Sequence, residues 1–535
     1  MSFKNVGSSQ GSLSKKMSGG VKVSLLALSL PALALLVACG SSNNQFGVGC
    51  RGTTGSFSNA SLPANSQWAY ELSGDIANTT GGSMPYAEAG VFTSNGNGGI
   101  TAWIDDFYGG TFTNGSYTIS PNGTGQITIN FSGGQVNLAI TMTGTASFYL
   151  IEADNFANAS GTAFQQDTTA FAAPPNGTFV FRTHLTTGGS SITNASVASV
   201  GVMTVNSSGV VTGMNEDVLM GGSNTSQRTL GATGGSFTTP DSTGRGTFTY
   251  SDSAGRTVSY TYYVLNASTY LLYDSVSALA LGRIEAQSGG PFSNSTLAAN
   301  SGFVFGSHGD TALTAAGGVN SAGQFVVDGG VGNITSGSYD SVQDGTATSN
   351  AALVTGSTYA ADASGDGRYA VTLNANGVVV QDVFYMVSPN RGFFLVNDST
   401  KVEDGTADLQ TTSSFSNSNV NGQFGFGMGG LDFTPEFVDR SGVIVADGNG
   451  NLTAAYVLNV FGVVTSPGCL SGTYTNGSNS NGRFQGNFGS SSGVDLVFYM
   501  TGTGQGYVIQ EDTNVEIWGG MATQSVVPPV LPGGF

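Results

Sequence analysis

Residues 126–142 read QITINFSGGQVNLAITM, and this stretch decides the fold class of the chain. Apolar and polar side chains alternate over residues 127–131 and again over residues 136–142. A period of two predicts strands with one face in a core and the other face in water. The Gly133-Gly134 pair between the two runs is typical of a tight hairpin, because such turns need positive φ. The stretch therefore predicts two antiparallel strands.

This hairpin belongs to a pattern that occurs four times along the chain. Each copy has a Ser/Asn-rich joint, an aromatic opening strand, glycine-rich turns and an apolar run that ends in an acid. The phenylalanines of the four joints lie 114, 121 and 123 residues apart, at Phe57, Phe171, Phe292 and Phe415. A fixed period indicates an array of like units. Since a unit of about 120 residues can bury its own core, we expect separate domains arranged like beads on a string.

Each copy contains about eight short strands at the spacing expected of all-β domains. The mature chain has no clear apolar stripe with helical period. We therefore predict an all-β protein of four tandem antiparallel domains. Up-and-down eight-stranded barrels are favoured, because most connections are short and closure removes exposed strand edges. An immunoglobulin-like sandwich is the alternative. The predicted β repeats are residues 55–171, 172–291, 292–414 and 415–525.

The first 39 residues have the features of an export signal. Lys15, Lys16 and Lys22 form a basic region before an apolar run over residues 23–37, and the run ends in Leu36-Val37-Ala38-Cys39. This ending resembles a bacterial lipobox, which implies a lipoprotein signal peptide and a lipid on Cys39. An ordinary secretory signal cleaved near Ala38 is the alternative.

The residues after Cys39 bear on location and anchoring. Gly40 follows the cysteine, and the absence of aspartate there favours the outer membrane in lipoprotein families. Several acyl chains on Cys39 would anchor the protein stably to a membrane. Residues 40–54 are a predicted flexible tether, and the Pro-rich residues 526–535 are a predicted tail. We expect an exported, lipid-anchored protein on the surface or the periplasmic face of the outer membrane.

The composition argues against nucleic acid as a partner. Four of the 15 basic residues lie in the signal, which leaves 11 against 33 acids in the mature chain. Charged residues make up only 9% of the sequence, so the surface must consist mainly of Ser, Thr, Asn and Gly. Such a chain suits a secreted β protein and repels phosphate backbones.

Cys50 and Cys469 are the cysteines that remain after the lipobox. In an oxidising compartment a disulfide between them could persist, and it would staple the tether to the fourth repeat. The repeats would then form a compact cluster, whereas without the bond a rod and a cluster both remain open. Two separate thiols are an equally open reading, because the sequence does not test their proximity.

The two histidines of the chain, His184 and His308, occupy the same place in repeats two and three. Ser73 and Gly429 stand nearby in repeats one and four. Because the histidines belong to separate domains, we expect them to form neither a metal cage nor a catalytic triad. A surface or strand-end role is the expectation.

Two other patterns of oxygen-bearing side chains are interpreted as turns. Asp447, Asn449 and Asn451 resemble the start of a calcium loop, but Leu458 stands where the closing acid belongs, so a hairpin turn is favoured. An acid closes the apolar run in every repeat, and these acids are expected to bond to turn amides. They are Asp154, Asp274, Asp398 and Asp512. We predict no metal and no cofactor.

The repeat motifs are similar to those of a known group of proteins. The best examples are residues 446–452, Ala-Asp-Gly-Asn-Gly-Asn-Leu, and residues 150–154, Leu-Ile-Glu-Ala-Asp. With the lipobox, they resemble the tandem-repeat lipoproteins common in acidobacteria. The resemblance covers residues 55–525 and implies the architecture, without an activity or a cofactor.

Three functions remain open from the sequence. The first is a non-enzymatic cell-envelope lipoprotein that acts as a surface structural, adhesive or interaction protein through repeated contacts. The second is a binding protein that holds a small lipophilic or glycan ligand in calycin-like barrels. The third is an envelope hydrolase, which needs two acids converging in one cleft. The expected partners are the membrane, through the lipid on Cys39, and a glycan, a small apolar ligand or other envelope proteins.

Overall fold

The computed structural model describes most of residues 55–524. The residues left out of this range are 79–81, 113, 132–133, 186–195, 221–222, 275–279, 312–317, 399, 433–435, 461, 467–468, 478–479, 490–493 and 513–514. The predicted signal peptide with Cys39, the tether with Cys50 and the Pro-rich tail lie outside the described residues. Within the described residues, no helix is long and apolar enough to span a membrane.

The first repeat folds into a closed barrel, barrel 1. Its strands are β1 (Gln67–Asn78), β2 (Gly82–Ser94), β3 (Gly99–Asp105), β4 (Gly110–Phe112), β5 (Gly115–Ile119), β6 (Thr124–Phe131), β7 (Gly134–Met142), β8 (Ser147–Glu152) and β9 (Ala157–Gln165). The order in the sheet is β2-β1-β9-β8-β7-β6-β5-β3-β4, and pairing of β2 with β3 closes it. Strands β6 and β7 pair antiparallel, which confirms the hairpin predicted for residues 126–142.

The second repeat forms barrel 2, which is closed in chain order. Its strands are β10 (Gly177–Leu185), β11 (Val197–Val205), β12 (Val210–Met220), β13 (Ser223–Phe237), β14 (Arg245–Asp252), β15 (Thr257–Asn266), β16 (Thr269–Asp274) and β17 (Ala280–Ala286). Each strand pairs with the next, and β17 pairs back with β10.

The third repeat forms barrel 3, whose closure is incomplete. Its strands are β18 (Ser301–Thr311), β19 (Gly318–Val327), β20 (Ile334–Gln343), β21 (Thr346–Ala352), β22 (Thr358–Ala361), β23 (Arg368–Ala375), β24 (Val378–Ser388), β25 (Arg391–Val396) and β26 (Lys401–Leu409). The sheet runs β21-β20-β19-β18-β26-β25-β24-β23-β22. Two isolated bridges, Asn333–Thr358 and Leu353–Ala375, stand where a continuous ladder would close it.

The fourth repeat forms barrel 4, which is closed in the manner of barrel 1. Its strands are β27 (Asn421–Asp432), β28 (Glu436–Asp447), β29 (Asn451–Val460), β30 (Val463–Thr465), β31 (Cys469–Asn476), β32 (Arg483–Phe488), β33 (Val494–Met500), β34 (Gln505–Gln510) and β35 (Val515–Thr523). Pairing of β28 with β29 closes the sheet. The predicted fold class, four antiparallel domains of up-and-down barrel type, is confirmed, with closure incomplete in barrel 3.

Short 3-10 helices precede the opening strands of the barrels. They span Asn59–Ser61, Thr168–Ala172, Asn294–Thr296 and Asn417–Asn419. In the first, third and fourth repeats the serine of the Ser-Asn joint caps the helix in a capping box. The joints that mark the repeat in the sequence are therefore the turns that lead into each barrel.

The barrel interiors are filled with side chains. In barrel 1, Trp68, Phe92 and Trp103 stack together, with ring centroids 5.3 to 6.3 Å apart along the row. In barrel 3 the interior leaves an apolar cavity of only about 20 Å³ among residues that include Phe325, Tyr369 and Met386. That volume holds about one water molecule. The interiors thus match the small eight-stranded barrels whose lumen side chains fill.

Successive barrels pack against one another through apolar faces on their outer surfaces. Such clusters join barrels 1 and 2, barrels 2 and 3, and barrels 3 and 4. A further cluster of Ala139, Ile151 and Val457 joins barrel 4 to barrel 1, so the contacts form a closed cycle. Each barrel keeps a core of its own, as expected for separate domains, but the barrels pack on one another and do not stand apart on a string. The reason is that strands such as β8 are buried at every position, on the outer face as well as the inner one.

Candidate functional site

The interfaces between successive barrels share a group of three polar side chains. In the second interface, Asp217 of barrel 2 accepts hydrogen bonds from barrel 3. Arg368 donates from Nε at 2.8 Å and Nη2 at 3.0 Å, and the Tyr385 hydroxyl donates at 2.8 Å. Asp217 is fully buried. We call this arrangement the Asp-Arg-Tyr triad.

The same triad recurs in the interfaces on either side. Between barrels 1 and 2, Asp106 accepts from Arg245 and Tyr263. Between barrels 3 and 4, Asp340 accepts from Nε of Arg483 at 2.8 Å and Nη2 at 2.6 Å, and from Tyr499.

Strand register explains why the same residues meet each time. The arginine and the tyrosine of each triad face each other across one hairpin, as the pairs Arg245–Tyr263, Arg368–Tyr385 and Arg483–Tyr499. Residues paired in this way lie on the same face of a sheet, here the outer face that meets the preceding barrel. Each aspartate comes one residue after the strand residue that pairs with a glycine of the preceding strand. In barrel 2, for example, Glu216 pairs with Gly201, and Asp217 follows Glu216. Two strand pairings therefore position each triad.

A second polar cluster lies where barrels 2, 3 and 4 approach one another. His184 Nδ1 of barrel 2 lies 2.5 Å from Asp404 Oδ1 of barrel 3, and Arg182 donates to the other carboxylate oxygen at 2.9 Å. On the far side of the imidazole, Nε2 lies 3.7 Å from Asp310 Oδ2. Burial lowers the pKa of His184, but the two carboxylates outweigh it and raise the pKa to about 10. His184 is thus an imidazolium held between two acids.

His308 completes this cluster and corrects a prediction. Its ring centroid lies 4.8 Å from that of His184, and on its other side it stacks on Trp518 of barrel 4 at 4.7 Å. Burial and the neighbouring His184 lower the pKa of His308 to about 3. The histidines lie near the ends of β10 and β18, as a strand-end role predicts, but in a contact between barrels and not at the surface, because the packed barrels bring equivalent positions together.

The cluster has a ligand set that could hold a metal ion. One ligand atom each from His184, His308 and Asp404 lies within 4.8 Å of the others. Two imidazoles and a carboxylate are donors that zinc accepts. His184 Nδ1 and Asp404 Oδ1 already form a hydrogen bond with each other, and Arg182 bonds to the second oxygen of Asp404. These contacts therefore form a network of ion pairs that joins barrels 2 and 3.

Further ion pairs extend this network toward barrel 4. Arg391 bridges Glu285 of barrel 2, at 2.8 and 3.0 Å, and Asp408 of barrel 3, at 2.6 Å. The Tyr507 hydroxyl of barrel 4 donates to the second oxygen of Asp408 at 2.6 Å. All of these side chains are largely buried. Breaking a buried pair costs about 3–5 kcal/mol, because a charge is left without its partner.

The weak calcium-loop candidate is a hairpin turn. Oδ1 of Asp447 accepts from the backbone amides of Asn449 at 2.7 Å and Asn451 at 2.9 Å, and the Asn451 side chain bonds to Oδ2. These hydrogen bonds lower the pKa of Asp447 to about 2. Asn95, Asn206 and Asp328 make equivalent bonds in the other repeats. The turn interpretation is confirmed.

Three of the acids that close the apolar runs accept hydrogen bonds from backbone amides, which lie in turns for Phe156 and Thr400 and in strands β7 and β33 for Asn137 and Asp495. Asp154 accepts from the amides of Asn137 and Phe156, and Asp398 accepts from Thr400. Asp512 accepts from the amide of Asp495. Strand register adds one correction. Leu272 and Leu150 each pair with the glycine at the equivalent position of the last strand, which aligns Asp274 with Glu152 and not with Asp154.

Cys469 is exposed at the start of β31. Its predicted partner Cys50 lies outside the described residues, so the disulfide stays a prediction.

Sequence reasoning missed the interface residues, although one signal for them was present. An arginine follows the same glycine turn in three repeats, as Gly244-Arg245, Gly367-Arg368 and Gly482-Arg483. Because the chain has so few basic residues, an arginine at the same place in three repeats indicates that each of them pairs with an equivalent acid. The partner itself follows only from the packing of one barrel on the next.

Comparison with known proteins adds no identity. No protein family model and no curated protein matches the chain. Kievitone hydratase from Nectria haematococca is 8% identical, with a TM-score of 0.16, over 67% of this chain and 93% of that chain. The siderophore receptor PirA from Pseudomonas aeruginosa is also 8% identical, with a TM-score of 0.12, over 86% of this chain and 80% of that chain. Similarities at this level carry no argument about fold or function.

Proposed function

We propose that this chain is a non-enzymatic lipoprotein of the bacterial cell envelope that serves as a structural and interaction scaffold. The observation that carries the proposal is the way buried ion pairs lock filled barrels together. In the Asp-Arg-Tyr triads and in the cluster around His184, charged and polar side chains form the contacts between barrels. The chain thereby holds the loops of four like domains in fixed relative positions, as multivalent contact requires.

The composition supports the same role. Of the described basic residues, Arg182, Arg245, Arg368, Arg391 and Arg483 all pair with an acid of another barrel or bridge two barrels. The surface is therefore left with acids and with neutral polar side chains. Such a surface keeps a crowded lipoprotein soluble at the membrane and suits polar partners such as glycans or other envelope proteins.

The anchor is tested by metabolic labelling with a fatty acid. Wild-type protein is expected to incorporate the label and to sediment with membranes. The Cys39→Ser variant should lose the label and appear in the soluble fraction with its barrels folded. Cys469→Ser is the matched control and should keep both the label and the membrane fraction. An unlabelled wild-type protein would contradict the lipid anchor.

The scaffold role is tested by protease treatment of intact cells, followed by immunoblotting of the mature protein. Digestion in intact cells would place the barrels outside and favour adhesion or capture of external partners. Protection until lysis would place them in the periplasm and favour an envelope scaffold. Hydrolysis of an envelope polymer by the purified protein, abolished by substituting a buried acid, would contradict the non-enzymatic proposal.

A further inference from the structure

Barrel 1 differs from the other barrels in the acids at one end of its interior. Glu88 and Asp105, from neighbouring strands β2 and β3, are buried there. Tyr70 Oη lies 2.8 Å from Glu88 Oε1 and 2.9 Å from Asp105 Oδ2, so one hydroxyl bridges both carboxyl groups. The Tyr86 hydroxyl donates to the other oxygen of Glu88. These two carboxyl groups are thus held in fixed positions.

A third acid, Glu152, points into the same space. Its side chain is fully buried, and among the described residues its carboxyl group has no basic or hydroxyl partner and only another acid, Asp154, beside it. Alternation along β8 turns Glu152 to the inside with Phe148 and Leu150, both members of the barrel 1 core. Leaving a buried acid without such a partner costs free energy, so such a group needs a reason.

Some buried acids of the other barrels pair with basic side chains, and one aligned position carries a neutral amide. Glu216, which register aligns with Asp105, accepts from Nη2 of Arg256 at 2.8 and 3.0 Å. Lys401 Nζ lies 2.7 Å from Glu403 in barrel 3. In barrel 4 the position of Glu152 is taken by Gln510, which Arg440 bonds.

Barrel 1 has no such compensation. Within the described part of the chain, no basic side chain pairs with Glu88, Asp105 or Glu152. Burial raises the pKa of all three groups, and the repulsion of neighbouring acids adds to this for Glu88 and Glu152. Raised pKa values are the expected response of clustered carboxyl groups that lack a cation.

Aromatic rings surround the acids at this end of the barrel. Phe107 lies edge-on to Tyr86 at 4.8 Å, and Phe156 lies 5.9 Å from both Tyr86 and Tyr108. Tyr108 also lies 5.3 Å from Phe131. Phe156 is 38% exposed, so this set of rings reaches the surface. Ring faces attract cations, and organic ammonium ions are recognised by cages of this kind.

We propose that this end of barrel 1 is a binding site for an organic ammonium ion. The positive group would lie between the aromatic rings and the carboxyl groups, with Glu152 as its main partner. An anion would meet uncompensated acids, and a neutral apolar ligand would leave Glu152 without a basic partner. The rings distinguish the site from a pure oxygen cage and favour an alkylated nitrogen over a bare metal ion.

The test uses the full mature protein and two probes, tetramethylammonium and n-butylammonium chloride. Binding is measured by calorimetry and by the fluorescence of Trp103, whose Nε1 lies 3.4 Å from Asp105 Oδ2. Both probes should bind saturably with one site per chain. n-Butanol, of matched length without the charge, should not bind.

Variants assign the binding to this place. Glu152→Gln should weaken binding of both probes at least tenfold, since the amide keeps the size and removes the charge. Asp274→Asn, at the aligned position of barrel 2, is the matched control and should bind as wild type does. Phe156→Ala, on the exposed rim, should weaken binding of tetramethylammonium about threefold to tenfold without unfolding the barrel.

Three outcomes would overturn the proposal. These are the absence of saturable binding, equal affinity in the Glu152→Gln protein, or saturation by calcium or sodium chloride alone with no response to the ammonium probes. The readout is independent of the lipid anchor, so failure here leaves the scaffold proposal standing.

Discussion

The interface that joins barrel 4 to barrel 1 differs in chemistry from the three interfaces between successive barrels. The successive interfaces each contain an Asp-Arg-Tyr triad. At the closing interface all three positions change together. Register places Val457 where the aspartate stands elsewhere, and it places Thr124 and Thr141 where the arginine and tyrosine stand. The closing interface therefore has neutral side chains at all three positions of the triad.

Neutral contacts replace the triad at the closing interface. Val457 packs on Ala139 and Ile151, and the Ser441 hydroxyl donates to Thr141 Oγ1 at 2.8 Å. Asn459 Nδ2 donates to the carbonyls of Glu152 at 2.9 Å and Ala157 at 3.0 Å. Such an interface can separate without leaving a buried charge unpaired. We therefore expect it to open first, whereas the triad interfaces open only with loss of the fold.

The largest expected effect is loss of one triad carboxylate. Asp217→Ala leaves the mostly buried Arg368 with only Asp362, 3.8 Å away, as an ion-pair partner and should lower the free energy of unfolding by about 3–5 kcal/mol. Chemical denaturation followed by tryptophan fluorescence measures the change. Asp447→Ala, in an exposed turn, is the control and should cost far less. Equal losses in the two variants would remove the distinction between triad and surface acids.

The second effect is a pH dependence that belongs to the closing interface. Asp439 of barrel 4 is buried against Ser160 and Asn158 of barrel 1, and burial raises its pKa to about 7. A raised pKa means that the folded state holds the proton. The stability that this provides is full below about pH 4, and it is lost as the pH rises through 7.

Asp439→Asn tests this dependence. The free energy of unfolding of wild type should fall relative to that of the variant between pH 4 and pH 8, by roughly 4 kcal/mol at most. Denaturation at several pH values measures the difference. Asp340 should behave in the opposite way. Burial alone would raise its pKa, but bonds from Arg483 and other donors outweigh burial and lower it. Its triad therefore loses stability as the pH falls.

A smaller effect is expected from overpacking the closing interface. A Cβ on Gly427 would lie 2.7 Å from the ring of Tyr149 of barrel 1. Gly427→Ala should therefore cost about 1–3 kcal/mol, confined to the closing contact. Hydrogen exchange should show faster exchange in β7, β8 and β28, with the triad interfaces unchanged. Uniformly faster exchange in all barrels would show that the closing interface does not open by itself.

The smallest effect is expected when a whole triad is converted to the closing chemistry. Asp217→Val combined with Arg368→Thr and Tyr385→Thr removes the charge together with its partners. Replacement of a complete buried ion pair by neutral side chains is often nearly neutral, so most of the loss seen in Asp217→Ala should be recovered. Comparison of the two denaturation curves measures it. No recovery would mean that the triad stabilises through more than its charge balance.

The sequence predicted what lies within a repeat better than what lies between repeats. Alternation and glycine turns were enough for hairpins such as β6–β7 and for the barrel type. The packing of the barrels was missed, although the unbroken apolar run Phe148–Ile151 is typical of a strand buried on both faces. Single acids such as Asp106 carry no signal of their own, because their partners lie in the next repeat.

The candidate sites show the same limit. His184 and His308 were noticed because they are rare, but their contact depends on how barrels 2 and 3 pack. Glu88 and Asp105 were not singled out, since they are distant in sequence and meet only through the pairing of β2 with β3. The alternation of apolar and polar residues predicts which face of a strand a side chain occupies. It does not predict which residue from a distant part of the chain lies beside that side chain.

Small-angle X-ray scattering of the lipid-free Cys39→Ser protein tests the closed cycle of barrels most directly. The sample is kept reduced, so that a bond between Cys50 and Cys469 cannot impose closure. A chain of this length packed as one body should have a radius of gyration of about 23 Å. Four barrels linked as an open string should give roughly 35 Å or more. A value near the first is the result we predict, and a value near the second would contradict the closing interface.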